Sequence, residues 1–281
     1  MAHCAHIPAF VLHQVTCQFA TGQTLFGPLS VSLEPSLCGL VGRNGVGKTR
    51  LLRLLAGLDS PAGGHIERAA AVAWVAQQPT LTPETTLATL LGYASVFAAL
   101  SRLEQGQGLA DDFDLLDGHW DLTDRLSLAF READLPPFSA DRPAFSLSGG
   151  ERMKALLCGA FVSGADYLLL DEPTNHLDRQ GREWLYHQLE SWQGGALIAS
   201  HDRELLTRMP RIIELTPTAL RSYGGNYDEY QRQRMAEQQA ARAALEHAVT
   251  DRRRTRARMH KEHDAAQRRS AQTLRTVDTL N

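Results

Sequence analysis

A glycine-rich octapeptide between an apolar run and a leucine-rich segment constrains the fold of this 281-residue chain more than any other feature. The segment Gly42-Arg43-Asn44-Gly45-Val46-Gly47-Lys48-Thr49 matches the pattern G-x-x-x-x-G-K-[ST]. Leu37–Val41 before it predicts a buried strand, and Lys48–Gly57 predicts an apolar helix closed by glycine. Inward-turned backbone N–H groups and the positive helix end make such a strand–loop–helix unit a phosphate-binding site.

Two side chains at the end of this loop carry specific chemistry. Lys48 is predicted to reach the β- and γ-phosphates of a nucleotide, and the Thr49 hydroxyl is predicted to hold Mg²⁺. The alternative is an ordinary glycine-rich turn with an exposed lysine, which the flanking strand and helix disfavour. The loop therefore predicts a nucleoside triphosphate and Mg²⁺ as ligands.

Two carboxylates follow a second apolar strand further along the chain. Tyr167–Leu170 is predicted as a buried strand, and Asp171 and Glu172 come directly after it. Because burying charge is costly, such a pair calls for a ligand or a solvated strand edge. We predict that Asp171 binds Mg²⁺, directly or through water, and that Glu172 polarises an attacking water as general base.

A serine and two glycines open a predicted helix. Ser148 and Glu151 have the spacing of a capping box, which explains them without a ligand. Gly149 and Gly150, however, weaken a first helical turn. That cost favours a second explanation, in which their bare N–H groups approach a ligand phosphate closely.

Four further side chains are less specific on their own. His201 follows the predicted strand Ala196–Ala199, at the edge where parallel sheets bind ligands, but a lone histidine is also explained without one. Either Gln77 or Gln78 could place an amide at the same edge. Taken by itself, Phe19 favours an ordinary core aromatic.

The order of predicted elements indicates the architecture. Residues 10–33 alternate apolar and polar side chains, which predicts antiparallel strands, and residues 86–133 predict helices. The remaining predicted strands alternate with helices, which indicates a largely parallel α/β sheet; these strands are Leu37–Val41, Ala71–Val75, Tyr167–Leu170 and Ala196–Ala199. Arg182–Trp192 predicts an amphipathic helix. Residues 227–281 lack Pro and Gly, and predict one or two long exposed helices.

The charge is distributed unevenly between the body of the chain and this tail. Residues 228–281 hold 12 basic and 8 acidic residues, a net charge of +4, whereas residues 1–227 carry −7. The basic side chains cluster at Arg252, Arg253, Arg254, Arg256, Arg258, Lys261, Arg268 and Arg269. This cluster predicts either a solvated helix face or a contact with RNA phosphates. It contains no aromatic residue, so an RNA contact would be blind to base sequence.

Cysteine usage and hydropathy indicate the compartment. Cys4, Cys17, Cys38 and Cys158 show no C-x-x-C spacing and are predicted to be reduced thiols, mostly buried. No apolar run reaches the roughly 18 residues of a membrane helix, and the first residues lack the pattern of a secretory signal. We therefore expect a cytoplasmic protein with no membrane partner.

Together, these motifs resemble those of the ATP-binding cassette (ABC) ATPases across residues 10–215. They occur in the family's order: the phosphate loop, a glutamine, LSGGE, LLLDEPTNHLD and SHD. The resemblance implies a P-loop NTPase of the ABC cassette type. It would have an antiparallel β subdomain, a mostly parallel α/β core and a helical subdomain, followed here by a long α-helical linker.

The resemblance also implies roles for individual residues. Ser148–Gly150 is similar to the signature loop, which contacts the γ-phosphate of ATP held by an opposing cassette. Gln77 corresponds to the Q-loop residue, a further Mg²⁺ ligand, and Asp178 to the D-loop residue. His201 corresponds to the switch histidine, and Phe19 to the aromatic that stacks on adenine.

Two stretches resemble one subfamily, the ABC-F proteins. These are Asn175-His176-Leu177-Asp178 and Tyr223–Tyr230, the second being similar to the start of an interdomain linker. ABC-F proteins carry two cassettes, lack a membrane domain and bind the ribosome, where the linker reaches toward tRNA. The resemblance implies a cassette at residues 1–222 with a helical subdomain at about 84–145, and a charged linker at 223–281. It implies ATP, a second cassette and rRNA or tRNA as partners.

The chain departs from this pattern in having one phosphate loop and one signature before its end at Asn281. We expect it to be the N-terminal half of such a protein, and weak ATP hydrolysis by this half alone; a single-cassette protein that dimerises is the alternative. Two other functions stay open. One is an ATP-binding subunit of a membrane transporter, and the other is a truncated RNA-binding module without hydrolysis.

Overall fold

The computed structural model describes residues 7–19, 21–79 and 81–278. The predicted thiol Cys4 lies outside the described residues, and so do the side chains of five residues of the basic cluster: Arg256, Arg258, Lys261, Arg268 and Arg269. No helix among the described residues is long and apolar enough to cross a membrane. Cys17, Cys38 and Cys158 are free, buried thiols, as predicted.

A three-stranded antiparallel sheet forms from the first part of the chain. Its strands run in the order β2 (Thr24–Leu33), β1 (Phe10–Gln18) and β4 (Gly63–Arg68). The alternation in residues 10–33 correctly predicted β1 and β2. Strand β4 was not predicted, because its sequence GGHIER has Ile66 as its one apolar residue and therefore shows no alternation.

A six-stranded sheet forms the second layer. Its order is β5 (Val72–Val75), β6 (Tyr167–Asp171), β7 (Gly195–Ala199), β3 (Leu37–Val41), β8 (Arg211–Leu215) and β9 (Leu220–Gly224). The first five strands are parallel, and β9 pairs with β8 in the antiparallel direction. Every residue of β6 and β7 is buried, as expected for central strands covered on both faces. The predicted parallel sheet is confirmed.

The helices occupy the connections between strands. They are α1 (Lys48–Leu55), α2 (Leu87–Leu90), α3 (Ala94–Glu104), α4 (Ala110–Leu116), α5 (Leu122–Glu132), α6 (Gly149–Phe161), α7 (Arg179–Ser191), α8 (Arg203–Thr207) and α9 (Tyr227–Asp278). A short 3-10 turn, Ala144–Ser146, precedes α6. Residues 86–133, predicted as helical, form α2 to α5.

Two hydrophobic clusters in the described part of the chain stabilise these layers. The first surrounds α1, whose Leu51, Leu52, Leu54 and Leu55 pack with residues of both sheets. The second joins α2–α5 to α6 and includes Leu126, Phe130, Ala155 and Cys158 among other buried residues. Fully burying one leucine or phenylalanine contributes about 1.5–3 kcal/mol, so each core holds its helices firmly. The first core fixes the start of α1, where the phosphate loop ends.

The chain divides into two compact units, and the boundary lies between Tyr227 and Asp228. The start of the linker at residue 223 stays a prediction, and in the structure that residue lies within strand β9. Tyr223 pairs with Ile212 in the sheet, and its hydroxyl lies 3.4 Å from Glu214 Oε2, so strand β9 belongs to the first unit. The described residues of the second unit belong to α9, a helix of 52 residues that begins at Tyr227 and, at 1.5 Å per residue, is roughly 80 Å long.

Candidate nucleotide-binding site

The phosphate loop turns from β3 into α1 through two glycines with left-handed backbone. Gly45 has φ +79° and Gly47 has φ +105°, a region that residues with a Cβ rarely adopt. A Cβ on Gly47 would also lie 2.8 Å from the ring of Phe26. The loop geometry therefore requires glycine at position 47 for both backbone and packing reasons.

The ammonium of Lys48 lies over this loop without an anionic partner. Its Nζ donates to the Gly42 carbonyl at 3.2 Å and lies 3.2 Å from His201 Nε2. Among the described residues it forms no ion pair. Desolvation lowers the pKa of Lys48, and the nearby carboxylates Glu172 and Asp171 oppose that shift. A half-buried cation that contacts only a carbonyl and an imidazole ring is well suited to meet an incoming phosphate.

The Thr49 hydroxyl and the Asp171 carboxylate meet at the start of α1. Thr49 Oγ1 donates to Asp171 Oδ2 at 2.7 Å, across 122 residues of sequence. Asp171 is only 2% exposed, and burial raises its pKa against the opposing effects of Thr49 and Lys48. These are hard oxygen donors of the kind that Mg²⁺ prefers, so the residues present fit that ion.

Glu172 contacts His201 through both backbone and side chain. The backbone N–H of His201 donates to Glu172 Oε2 at 3.2 Å, and His201 Nε2 lies 3.5 Å from Oε1. Burial raises the pKa of Glu172, and His201 opposes this. Glu172 has φ +50°, a left-handed conformation that costs a residue with a side chain roughly 1–3 kcal/mol. Such strain is concentrated at functional sites.

These groups line one cavity of about 470 Å³. Among the predicted site residues, its lining includes Phe19, Asn44, Gly45, Gly47, Lys48, Thr49, Gln77, Asp171, Glu172 and His201. Phe19 is 49% exposed, so it is not a core aromatic. Gln77 faces this cavity, whereas Gln78 lines a different one. Arg43 and Val46 do not line it, since Arg43 is exposed on the loop and Val46 packs in the first core.

Three lining residues were not predicted: Leu25, Arg50 and Asn175. Leu25 and Arg50 carry no motif signal of their own. Asn175 lies within the motif that follows Glu172, and its backbone N–H donates to the Glu172 carbonyl at 3.1 Å. That tight turn places its amide near the carboxylates.

The signature residues lie outside this cavity. Ser148 caps α6 by accepting from the Glu151 N–H at 3.3 Å, while Glu151 Oε2 accepts from the Ser148 N–H at 2.7 Å, which confirms the predicted capping box. A Cβ on Gly150 would lie 2.7 Å from the His176 carbonyl oxygen, so packing alone requires glycine there. Gly149 lines a separate cavity of about 360 Å³, which Gln77 also borders.

Asp178 has a local structural contact. It is the N-cap of α7, and its Oδ1 accepts from the Gly181 N–H at 2.8 Å. Its neighbour His176 has φ +68° and packs under the start of α6. The motif around Asn175 to Asp178 therefore joins the nucleotide cavity to the signature helix.

Comparison with known proteins decides the family. The model of the ABC transporter family matches residues 27–175, which is more than half of the chain and includes the phosphate loop, the signature and both carboxylates. The chain belongs to the ATP-binding cassette family. This cassette also has curated ABC-F relatives.

One relative is the energy-dependent translational throttle protein EttA of Mycobacterium tuberculosis, which is 33% identical over 88% of this chain and 46% of that protein. The EttA protein of Escherichia coli is 32% identical over 85% of this chain and 48% of that protein. The probable ATP-binding protein YheS of Escherichia coli is 34% identical over 72% and 34%, respectively. The chain thus spans about half or less of the length of these ABC-F relatives.

Solved structures confirm the ABC cassette fold. The ATP-binding subunit of an ABC transporter matches with a TM-score of 0.60 and 21% identity, covering 80% of this chain and 92% of that chain. The dimeric bacterial ABC transporter cassette MJ0796 matches with a TM-score of 0.59 and 18% identity, over 76% and 98%. At this identity the likeness concerns the fold.

Proposed function

We propose that this cassette binds and hydrolyses Mg²⁺-ATP. The observation that carries the proposal is that one cavity brings together Lys48, the Thr49–Asp171 pair and the Glu172–His201 pair. Lys48 contacts the β- and γ-phosphates in place of the Gly42 carbonyl and the His201 ring. Phe19, half exposed at the same cavity, stacks on the adenine ring.

Three oxygen donors of the cavity would hold Mg²⁺: the Thr49 hydroxyl, the Asp171 carboxylate and the Gln77 amide. The ion supplies charge neutralisation at the β- and γ-phosphate oxygens. Positive charge beside Asp171 favours its ionised form, which burial alone disfavours. A bound cation would therefore stabilise the ionised form of Asp171.

Glu172 accepts the proton of the attacking water. Burial raises the pKa of its carboxyl, which makes its carboxylate a stronger base than an exposed glutamate. His201 orients that carboxylate through its backbone N–H and places its ring between Glu172 and Lys48. In this position His201 can donate to the γ-phosphate while keeping Glu172 in place.

A complete site requires a second cassette. Ser148–Gly150 does not line the nucleotide cavity of its own chain, so these residues are free to contact ATP held by another cassette. The fold match to the dimeric cassette MJ0796 supports this arrangement. We propose that the partner is either a C-terminal cassette or a second copy of this chain.

We further propose that the ATPase cycle acts on the ribosome in the cytoplasm, as a translation factor or in protection against antibiotics. The name of EttA describes a translational throttle, and this chain is related to it over 88% of its length. The exposed Arg252, Arg253 and Arg254 of α9 supply a cationic surface for rRNA or tRNA phosphates.

Nucleotide titration tests the first part of this proposal. Lys48→Ala removes the cation that faces the phosphates and is expected to lose useful ATP affinity, while the fold is retained. The matched control is Lys154→Ala, because Lys154 does not line the nucleotide cavity. Its Nζ donates to the Ala133 carbonyl instead. Equal ATP affinity of Lys48→Ala and wild type would contradict the site.

Co-sedimentation tests the second part. The chain with ATP is expected to pellet with purified ribosomes and to stay in the supernatant with membrane vesicles. The transporter alternative has some support in the exposed pair Phe113 and Trp120, whose ring centroids are 6.1 Å apart, since membrane partners bind apolar surfaces. Pelleting with vesicles alone would favour that alternative, and ribosome binding by a chain that never hydrolyses ATP would favour the RNA-binding module.

A further inference from the structure

Three potential metal ligands lie together on the antiparallel sheet, outside the nucleotide cavity. His13 of β1 and His65 of β4 are directly paired across the two strands, and Glu67 follows His65 by two residues. Alternation along a strand places residues two apart on the same face. Leu12 and Ile66, which pair next to them, point to the opposite face and into the first core. The backbone therefore directs all three ligands to one side.

We propose that His13, His65 and Glu67 form a binding site for a first-row transition metal of the Zn²⁺ type. Their ligand atoms all lie within 4.8 Å of one another. His13 Nε2 is 3.1 Å and His65 Nε2 is 3.7 Å from the same oxygen, Glu67 Oε1. In a tetrahedral zinc site with bonds of 2.0–2.2 Å, two ligand atoms are about 3.3–3.5 Å apart. The observed distances lie on either side of that value.

The present contacts do not satisfy these groups by themselves. His13 Nε2 is shielded from solvent and has no hydrogen bond among the described residues, although it lies 3.1 Å from Glu67 Oε1. The two imidazole rings are stacked, with centroids 4.4 Å apart and planes 13° from parallel. Stacking brings both Nε2 atoms to the same carboxylate. A metal ion between the three atoms would give His13 Nε2 the partner it lacks.

The backbone around the cluster is held in an unusual conformation. Gln14 has φ +52° at a bulge directly after His13. Opposite it, Gly64 has φ +78°, and a Cβ there would overlap the carbonyl oxygen of His13. Bulges re-aim side chains next to sites, and this one fixes the position of His13 relative to β4. The ligands are therefore positioned before any metal binds.

The donor set selects the metal. Two imidazoles and one carboxylate suit Zn²⁺ and its neighbours, and suit Mg²⁺ or Mn²⁺ less well. His65 and Glu67 are 66% and 63% exposed, so a water molecule completes the coordination. Bound metal would link β4 to its neighbour β1, the strand that ends one residue before Phe19. We therefore assign the site a structural role, stabilising the first strands.

Zinc titration of the untagged chain tests this site, with excess Mg²⁺ present to occupy the oxygen donors of the nucleotide cavity. His65→Gln keeps a polar side chain of similar size but removes the imidazole. It is expected to weaken one zinc equivalent by about tenfold or more, since loss of even an outer partner of a metal ligand costs about 10–100-fold. Glu67→Gln should have the same direction of effect. Mn²⁺ should bind far more weakly than Zn²⁺.

His187→Gln is the matched control. His187 is an exposed histidine whose Nδ1 lies 3.8 Å from Glu190 Oε2. It therefore has a carboxylate neighbour like the proposed ligands, but it does not belong to the cluster of His13, His65 and Glu67. It should leave zinc affinity unchanged. Thermal unfolding gives a second measurement, because zinc should raise the melting temperature of wild type and of His187→Gln but not of the other two variants. The proposal is overturned if wild type takes up no zinc or if His65→Gln and Glu67→Gln bind it as wild type does.

Discussion

At the scale of single residues, the nucleotide cavity combines a buried carboxylate, Asp171, with a partly buried one, Glu172, and the two have different neighbours. Asp171 contacts the Thr49 hydroxyl, whereas Glu172 contacts His201. Burial raises the pKa of both carboxyl groups. These two neighbouring carboxylates therefore have different surroundings, because one contacts the Thr49 hydroxyl and the other contacts a histidine.

Replacing the proposed base separates binding from chemistry. Glu172→Gln has nearly the same volume but cannot accept the proton of water, so we expect ATP affinity to be retained. Hydrolysis should fall by about 10²–10⁴-fold, the usual contribution of a general base. Steady-state turnover measures this. Glu104→Gln is the control, because it makes the same substitution at the exposed end of α3. Turnover of Glu172→Gln within a few-fold of the control would exclude Glu172 as the base.

The same variant has an expected effect on stability. Burial raises the pKa of Glu172 above its ordinary 4.5, so the ionised carboxylate lowers the free energy of unfolding at neutral pH. That cost is absent at pH values well below 4.5, where the carboxyl is protonated in both states. Without nucleotide, Glu172→Gln should therefore melt at a higher temperature than wild type at pH 7, but not in strong acid.

At the scale of elements, Asp59 joins the end of α1 through two arginines of that helix, one of which, Arg50, also lines the nucleotide cavity. Asp59 accepts hydrogen bonds from Arg53 and Arg50 at 2.8 and 2.9 Å, and Arg53 in particular lowers the pKa of Asp59 from 3.8 to about 2. A lowered pKa adds stability above pH 3.8, which is lost as the pH falls toward 2. The side chain of Asp59 is 20% exposed, so solvent reduces the effect.

We expect Asp59→Asn to lower the free energy of unfolding by about 1–2 kcal/mol at pH 7. The difference from wild type should shrink progressively below pH 3.8. Urea unfolding at several pH values measures it. Asp114→Asn serves as control, because Asp114 is exposed and its side chain has no ion pair among the described residues. A difference that is constant across this pH range would exclude the ion pair as its cause.

Helix α9 supplies the second prediction at this scale. Changing Arg252, Arg253 and Arg254 to Glu should weaken ribosome or RNA binding and leave ATP affinity unchanged. If all three met phosphates, the log–log salt slope would lose roughly 2–3, at about 0.7–0.9 per phosphate. The expected loss is smaller, because three successive residues span more than half of a helix circumference. A triple Arg→Lys variant keeps the charge and should keep the slope; if the Glu variant keeps it too, the cluster is only a solvated face.

At the scale of the whole molecule, the motifs predicted the ABC cassette fold, which the solved structures confirm, whereas the roles of the site residues stay predictions. Apolar runs predicted β3, β6 and β7, because strands buried on both faces are continuous apolar segments of sequence. Lys48, Asp171 and His201 were then predicted from their positions at or after the ends of these strands. Strands β4, β8 and β9 were not predicted, because none of their sequences (GGHIER, RIIEL and LRSYG) is a continuous apolar run. Nor could the sequence predict the left-handed backbone of Glu172 or the packing of Gly150 on His176, which arise from tertiary contacts.

Hydrolysis by the isolated chain is expected to depend on association. Because Ser148–Gly150 lies outside the nucleotide cavity of its own chain, a monomer holds two incomplete halves of a site. Activity per molecule should therefore rise with protein concentration as dimers form. Turnover measured across a dilution series, alongside the mass in solution, checks this. Fast turnover that stays proportional to concentration in a proven monomer would contradict the shared site.

The contacts of Lys48 have a consequence for the order of events when a nucleotide arrives. One ammonium offers three protons, and here the Gly42 carbonyl and the His201 ring take two of its directions. Phosphate oxygens compete for the same ammonium protons. We therefore expect nucleotide binding to replace the contact between Lys48 and His201 with a contact between Lys48 and phosphate. The surroundings of the His201 ring should therefore change when a nucleotide occupies the cavity. A nuclear magnetic resonance signal from the His201 ring should move on titration with ATP before any larger rearrangement occurs.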